Sequence, residues 1–357
     1  MKRQSQVIAK GERVFVGLED SKKTWKLCVR SGGQVIGETT MPAEYEVLRN
    51  YFHSRFPECR IKVMYEAGFA GFELHDQLEG DNWECVVTPP HTVTQEKVQR
   101  KKNDRIDCRR LARNLESDDY HVCFVPDREL REDRQLSRVC QQVDNDLVRT
   151  CNRIRRMLEF HSLDKDLPAG RWTQGLYAKA RKHIQETPVS ESLHFAFEML
   201  FRELEQLRQM KKELILKLRQ LARSQRYKES AALLRTAPGI GELTAIRLVL
   251  EWGDLSRFKR KEDFASFLGL IPSDHSSGEE EHQGHITKQG NRAVRAWLVE
   301  SSWRAVSRDP ALLDKFRRVL KSCGSKKKAI VAVARKLALR LRTVLLTGQP
   351  YVVGVLE

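Results

Sequence analysis

Arg13-Val14-Phe15-Val16-Gly17-Leu18-Glu19-Asp20 is a short apolar run that stops on two acids. Its length and its charged ends predict a buried β-strand over Val14–Leu18. Trp25 to Val29 and Gln34 to Thr39 read as two more strands, with Ser31-Gly32-Gly33 as the turn between them. Ala43 to Phe56 has helical spacing, Ile61 to Tyr65 is a strand that stops at Glu66, Phe69 to Leu78 is a helix, and Trp83 to Val87 a strand. Hairpin strands followed by strand–helix alternation predict an α/β layer on a mixed sheet, reaching to about Cys123.

The 357 residues suffice for two or three domains, each with its own core. Lys and Arg number 64 against 48 Asp and Glu, a net charge of +16. Such an excess marks a polyanion partner, nucleic acid first and an anionic membrane second; a basic enzyme of another kind is the plain alternative. The eight cysteines never fall in Cys-x-x-Cys spacing, so no zinc or redox motif is implied. Isolated thiols at apolar positions fit a reducing cytoplasm. Met1 to Glu12 has no apolar core of a signal peptide, and no run approaches the length of a membrane span.

From about Arg131 to Gln225 the chain reads as long helices. Leu193, Leu200, Leu207, Leu214 and Leu221 recur every seven residues; Phe197, Leu204 and Leu218 form a second seam, interrupted by Lys211. This predicts a coiled coil, either a hairpin within the chain or a zipper between copies, with a hairpin that also contributes to a dimer favoured.

Beyond it, Pro238-Gly239-Ile240-Gly241 precedes the amphipathic segment Leu243 to Trp252. A turn that exposes backbone N–H groups at a helix start suits a phosphate and resembles a helix-hairpin-helix, with Gly239 and Gly241 as the close-approach residues; a packing corner is the alternative. Ser273-Asp274-His275-Ser276-Ser277-Gly278 offers a hydroxyl, Ser277, that could attack phosphorus if a base or metal activates it. His275, His282 and His285 could move protons, and Lys288 and Arg292 could stabilise the charged oxygens. Ser-Ser-Gly is also an ordinary loop. The tail, Lys326 to Leu346, is a basic amphipathic helix whose charged side is either solvated or phosphate-facing.

Acids fall where a metal site needs them. Glu19 and Asp20 end one strand and Glu66 another, and Asp104 and Asp107 share a helix face amid Lys102, Arg105 and further cations. Strand ends and a covering helix can converge on one crevice, and oxygen ligands suit Mg²⁺. Taken singly, each is by default a surface acid, and Asp104 and Asp107 also read as part of a salt-bridged helix face.

Together these motifs resemble transposases of the insertion-sequence family 110/1111 and the related Piv-type DNA invertases. The resemblance rests on Gly17-Leu18-Glu19-Asp20-Ser21-Lys22, Glu66-Ala67-Gly68 and Lys102-Asn103-Asp104-Arg105-Ile106-Asp107. It continues in Pro238-Gly239-Ile240-Gly241, Gly269-Leu270-Ile271-Pro272, Ser277-Gly278, Ile286-Thr287-Lys288 and Gly290-Asn291. It implies an RNase-H-like (RuvC-like) α/β domain over residues 1–125, a helical coiled-coil region over 126–228 and a mostly α-helical transposase domain over 229–357. It implies Mg²⁺ or Mn²⁺ on Glu19, Glu66, Asp104 and Asp107, where Glu19 replaces the family's usual Asp and Asp20 stands next door. Neighbouring strand residues face opposite ways, so one of the two enters the site, and the motif frame selects Glu19.

The resemblance further implies Ser277 as a nucleophile forming a covalent phosphoserine link to DNA. Lys102, Arg105, Gly239, Gly241, Lys288 and Arg292 would bind nucleic acid. The implied partners are element-end and target DNA, a structured noncoding guide RNA and further copies of the chain, as a dimer or as a tetramer in the active complex. The implied location is the bacterial cytoplasm, at the nucleoid. Delegating sequence choice to base pairing would explain a basic protein without an evident base-reading module. Two other functions fit the residues: a metal-dependent, resolvase-like nuclease in which Ser277 is structural, and a non-catalytic nucleic-acid scaffold with a decayed metal site.

Overall fold

A computed structural model describes residues 9–68, 71–90, 104–165, 167–168, 172–274 and 283–354. The chain divides into two compact units, Met1–Pro126 and Asp127–Glu357.

In the first unit β1 (Arg13–Asp20), β2 (Thr24–Ser31) and β3 (Gln34–Pro42) form an antiparallel meander. The chain then crosses through α1 (Tyr45–Arg55) to β4 (Arg60–Glu66), and through α2 (Glu73–Gly80) to β5 (Glu84–Thr88). β4 lies parallel to β1 and β5 parallel to β4, so the sheet order is β3-β2-β1-β4-β5. α3 (Asp104–Glu116) completes the unit. Strand alternation sorts the core into two layers. Val14, Val16 and Leu18 pack with Leu48, Phe52, Leu74 and Leu78 under α1 and α2. Met64 and Val86 pack with Leu111 and Leu115 of α3 on the other face. The mixed sheet expected from the hairpin-then-alternation pattern is the one observed, an RNase-H-like arrangement.

The second unit opens with α4 (Arg128–Phe160), α5 (Gln174–Glu186) and α6 (Glu191–Ala222). Each starts at an N-cap whose side-chain oxygen accepts from the third residue on, Asp127, Thr173 and Ser190 in turn. α4 and α6 run antiparallel within the chain. Asp144 meets Lys211 at 2.6 Å, and further along α4 Arg153 meets Glu203 at 2.7 Å. The buried seam of α6 is Phe197, Phe201, Leu204, Leu218 and Ala222; the heptad leucines flank it half-buried.

Then come α7 (Lys228–Arg235), α8 (Glu242–Trp252), α9 (Lys261–Phe267), the short hairpin strands β6 (Pro272–Asp274) and β7 (Gln283–Ile286), α10 (Arg292–Val306), α11 (Pro310–Cys323) and α12 (Lys326–Thr347). One core joins them, including Leu248, Trp252, Phe264, Leu298, Leu312, Val333 and Leu337. Two features depart from the sequence reading. The β6–β7 hairpin had no strand signal. α8, expected to be amphipathic, is buried on most sides: Arg247 lies over the Trp297 ring at 5.2 Å and within 3.5 Å of Asp144, and Glu251 accepts from Arg138 at 3.2 Å. Its charges therefore face α4 and α10 rather than water.

Candidate active site

The acidic group in the first unit is built by strand parity and one glycine. An ideal Cβ on Gly17 would lie 2.1 Å from the Cys108 carbonyl oxygen and 2.4 Å from the Ala112 nitrogen. The missing side chain therefore lets α3 lie directly on β1. Residues of Gly17's parity face α3, which puts Glu19 on that side. Burial pushes the Cys108 thiol up to about 11, with the charges of Glu38 and Glu19 adding to it. Glu66, two residues after Met64, has the same orientation. Its Oε1 lies 3.2 Å from an Arg110 terminal nitrogen, and that nitrogen also lies 3.2 Å from Asp107 Oδ1. Two carboxylates from two elements thus share one cation.

Asp20 points the other way, to the Tyr65 and Gly68 side, 3.7 Å from where a Gly68 Cβ would be. Burial raises its carboxyl above the ordinary value; a hydrogen bond from its own backbone opposes this, and the charge of Glu66 adds to it. Its Oδ2 is buried with no hydrogen-bond partner among the described residues. Asp104 begins α3, one turn before Asp107. Arg105 is exposed on the same turn, and Lys102 lies outside the described residues.

Among the described residues no group of three His, Cys, Asp or Glu is gathered as a ready-made cage. The donor set nevertheless fits a hard divalent ion. It is all oxygen, and it sits where two carboxylates already converge on a positive charge. Arg110 is one of the cations that the sequence places beside the two aspartates. It stands in a row of cations around Asp107, and nothing in that row singles it out.

In the second unit the hairpin β6–β7 brackets the serine motif. Ser277 lies between the two strands in sequence, outside the described residues, as do His275 and His282. The base of the hairpin is tightly built. Gly269 (φ 64°) and Gly290 (φ 90°) are both left-handed, and a Cβ on either would collide with the other segment's backbone, at 1.9 Å from the Gln289 oxygen and 2.2 Å from the Phe267 oxygen. Arg295 clamps the same turn, donating to the carbonyl oxygens of Leu268, Gln289 and Gly290 at 3.0–3.3 Å. Burial, and then the charge of Arg292, hold its guanidinium below the ordinary value. Lys288 is exposed in a left-handed conformation (φ 56°), and Arg292 is exposed as the first residue of α10, after the N-cap Asn291. The Thr287 hydroxyl is buried without a hydrogen-bond partner among the described residues. Arg295, one turn into a helix, carries no local signal; Thr287 stands in the Ile286-Thr287-Lys288 motif, but nothing in the spacing marks its hydroxyl as buried.

The Pro238–Gly241 turn divides into two roles. Gly239 (φ 86°) packs against α10, where a Cβ would lie 2.4 Å from the Ser301 oxygen; Gly241 caps α8 with open space beside it. Glu242, in the first turn of α8, meets Arg223 at 3.1 Å.

A mixed sheet in this order, with acids ending its two central strands and a third on the helix above, defines an RNase-H-like DNA-processing enzyme. A sequence model of the transposase IS116/IS110/IS902 family matches residues 231–317, and the DEDD transposase model of the same group matches residues 16–162, together well over half the chain. The chain belongs to the IS110 family of insertion-sequence transposases and is a DNA transposase/recombinase. It is 28% identical to the transposase y4rJ of Sinorhizobium fredii over 92% of this chain and 90% of that one. It is 25% identical to the transposase for insertion sequence element IS1111A of Coxiella burnetii, over 71% and 68%. It is 33% identical to the pilin gene-inverting protein of Moraxella bovis over 34% of this chain and 38% of that one. Among the described residues no helix is long and apolar enough to cross a membrane.

Proposed function

We propose that the protein cuts and rejoins DNA at the ends of a mobile element through a covalent link to Ser277, guided by a structured noncoding RNA. Glu19, Glu66, Asp104 and Asp107 would hold Mg²⁺ or Mn²⁺ at the acidic group. The observation that supports the metal part of this reading is the convergence of Glu66 and Asp107 on one positive charge beside the end of β1; the serine and RNA parts rest on the family motifs in the sequence. When bound, a divalent ion there supplies Lewis-acid stabilisation of a scissile phosphate.

The chain's own part of the chemistry is a transesterification. Ser277 Oγ bonds to phosphorus and the bond to the leaving deoxyribose oxygen breaks. The serine proton passes to a nearby base, for which His285 at the hairpin is the described candidate, and the leaving oxygen takes up a proton. Religation reverses each step, with a different deoxyribose oxygen attacking. Lys288 and Arg292 neutralise the phosphate oxygens, while Lys102, Arg105 and the Gly239–Gly241 turn hold flanking phosphates. The working assembly is a homodimer, or a tetramer on the paired DNA ends, acting at the nucleoid of a bacterial cytoplasm.

The test uses the full chain, an element-junction DNA, its flanking noncoding RNA and Mg²⁺. The wild type yields a protein–DNA adduct that survives denaturation; Ser277→Ala yields neither adduct nor cleavage, and Asp104→Asn cuts at least about 100-fold more slowly. Continued cutting by Ser277→Ala would instead identify a metal-and-water nuclease. Activity independent of RNA would remove the guide.

A further inference from the structure

Between Pro310 and Thr347 the chain carries one acid, Asp314, against eleven Lys and Arg. Two of the eleven are engaged inside the fold. Arg340 is buried against Asp309 and Tyr351, and Arg342 donates to the Phe258 carbonyl oxygen at 2.5 Å. The other nine are exposed or half-buried on α11 and α12. These helices pack as an antiparallel pair about Gly324, the left-handed residue that ends α11. Lys315 therefore lies level with Arg335 and Lys336 across the pair, and Arg318 follows it one turn on. Asp314 reaches only Arg318, at 3.7 Å.

Four cations thus meet beside a single carboxylate. Burial, and then the charges of Arg318, Lys336 and Arg335, hold the Lys315 ammonium below the ordinary lysine value. Like charges held together destabilise the fold that holds them. The apolar stripe of α12 (Ile330, Val333, Leu337, Leu341) is buried in the core, so packing explains the stripe and not the cations.

We infer that the α11–α12 face is a further nucleic-acid seat, on which Lys315, Arg318, Arg335 and Lys336 grip consecutive backbone phosphates. α11 alone is about 21 Å long, the reach of several phosphates. With its stripe buried, this face would offer a lipid bilayer charge and no insertion. The ligand chemistry is the phosphodiester backbone, from either the DNA or a structured RNA. The inference goes beyond the proposed chemistry and survives if Ser277 or RNA guidance fails, because it needs only a polyanion partner.

The test measures full-chain binding to a random-sequence DNA duplex and to an RNA hairpin of equal length, across a NaCl series, for Lys315→Gln/Lys336→Gln. Lys179→Gln/Lys182→Gln on α5 is the charge-matched control. The expected result has two parts. The salt-dependence slope falls by about two and affinity drops roughly tenfold for at least one nucleic acid, unlike the control. The melting temperature without ligand rises, as repulsion is relieved. The arm that weakens names the source, DNA, RNA or both. Lys315→Arg/Lys336→Arg should keep wild-type binding. Unchanged slope and affinity, or a fall in melting temperature with binding intact, would overturn the seat. So would loss of binding to phosphatidylserine vesicles alone.

Discussion

Arg110 holds Glu66 and Asp107 at one point, and removing it separates two effects. Arg110→Ala leaves two partly buried carboxylates facing each other without a cation, so the metal-free protein should lose about 1 kcal/mol, discounted for partial exposure. The same change frees the oxygens for a divalent ion, so the rise in melting temperature on adding Mn²⁺ should be larger than in the wild type. Differential scanning fluorimetry with and without Mn²⁺ reads both; an equal or smaller rise would show that Arg110 does not compete for the site. The neighbouring pair Glu19 and Asp20 answers to the same measurement. Glu19→Gln should abolish the Mn²⁺-induced rise and Asp20→Asn should keep it, because the pleat turns Glu19 towards α3 and Asp20 away. That Glu66 ends a strand and that Asp104 and Asp107 open one helix was legible in the chain, since a strand end and a three-residue helical spacing are local patterns. The roles of Arg110 and Arg295 were not, because they depend on partners that folding brings to them, and neither was the burial of the Thr287 hydroxyl, which the packing around it decides.

α3 and β1 touch through Gly17, so their packing has a single steric control. Gly17→Ala places a methyl inside the α3 backbone and should destabilise the first unit by about 3 kcal/mol or more. Urea denaturation followed by circular dichroism gives the number, and wild-type stability would mean that α3 shifts freely. The α4–α6 pair is a different case. Its leucine repeat is visible at every seventh residue, yet the buried seam is the aromatic one beside it. Phe197→Ala should therefore cost about 3–5 kcal/mol, and Leu207→Ala well under half of that, in the same assay. Heptad spacing announces a helix pair but leaves open which of two adjacent stripes faces the partner, because both recur with the same period. α8 shows the converse limit. Arg247 and Glu251 look like a solvent face until α4 and α10 supply the groups that satisfy them.

At the scale of the whole chain, the sequence divides into two compact units between Pro126 and Asp127, and the core of the second lies within Asp127–Glu357. That segment expressed alone should fold with a cooperative melt. Its C-terminus is tied back by Asp309, fully buried, which bonds Arg340, Tyr351 and the Gly354 N–H. Burial would raise the Asp309 carboxyl, but the Tyr351 hydroxyl, the Ala311 N–H and Arg340 outweigh it and hold it below its ordinary 3.8. This acid therefore adds stability that is complete above about pH 4 and fades as pH falls through the lower folded value. Asp309→Asn should cost about 3 kcal/mol at pH 7 and flatten the acid limb of the stability curve; an unchanged limb would place that linkage elsewhere. Local order along the chain sufficed for the mixed sheet, the long helices, the basic character and the motif frame, because periodicity and charge are carried by neighbours in sequence. Which acid faces α3, which cation bridges Glu66 and Asp107, which seam closes α4 on α6 and which lysines crowd together on α11 and α12 had to wait for folding. Each depends on groups far apart in the chain being brought within a few ångströms, and no spacing rule encodes that.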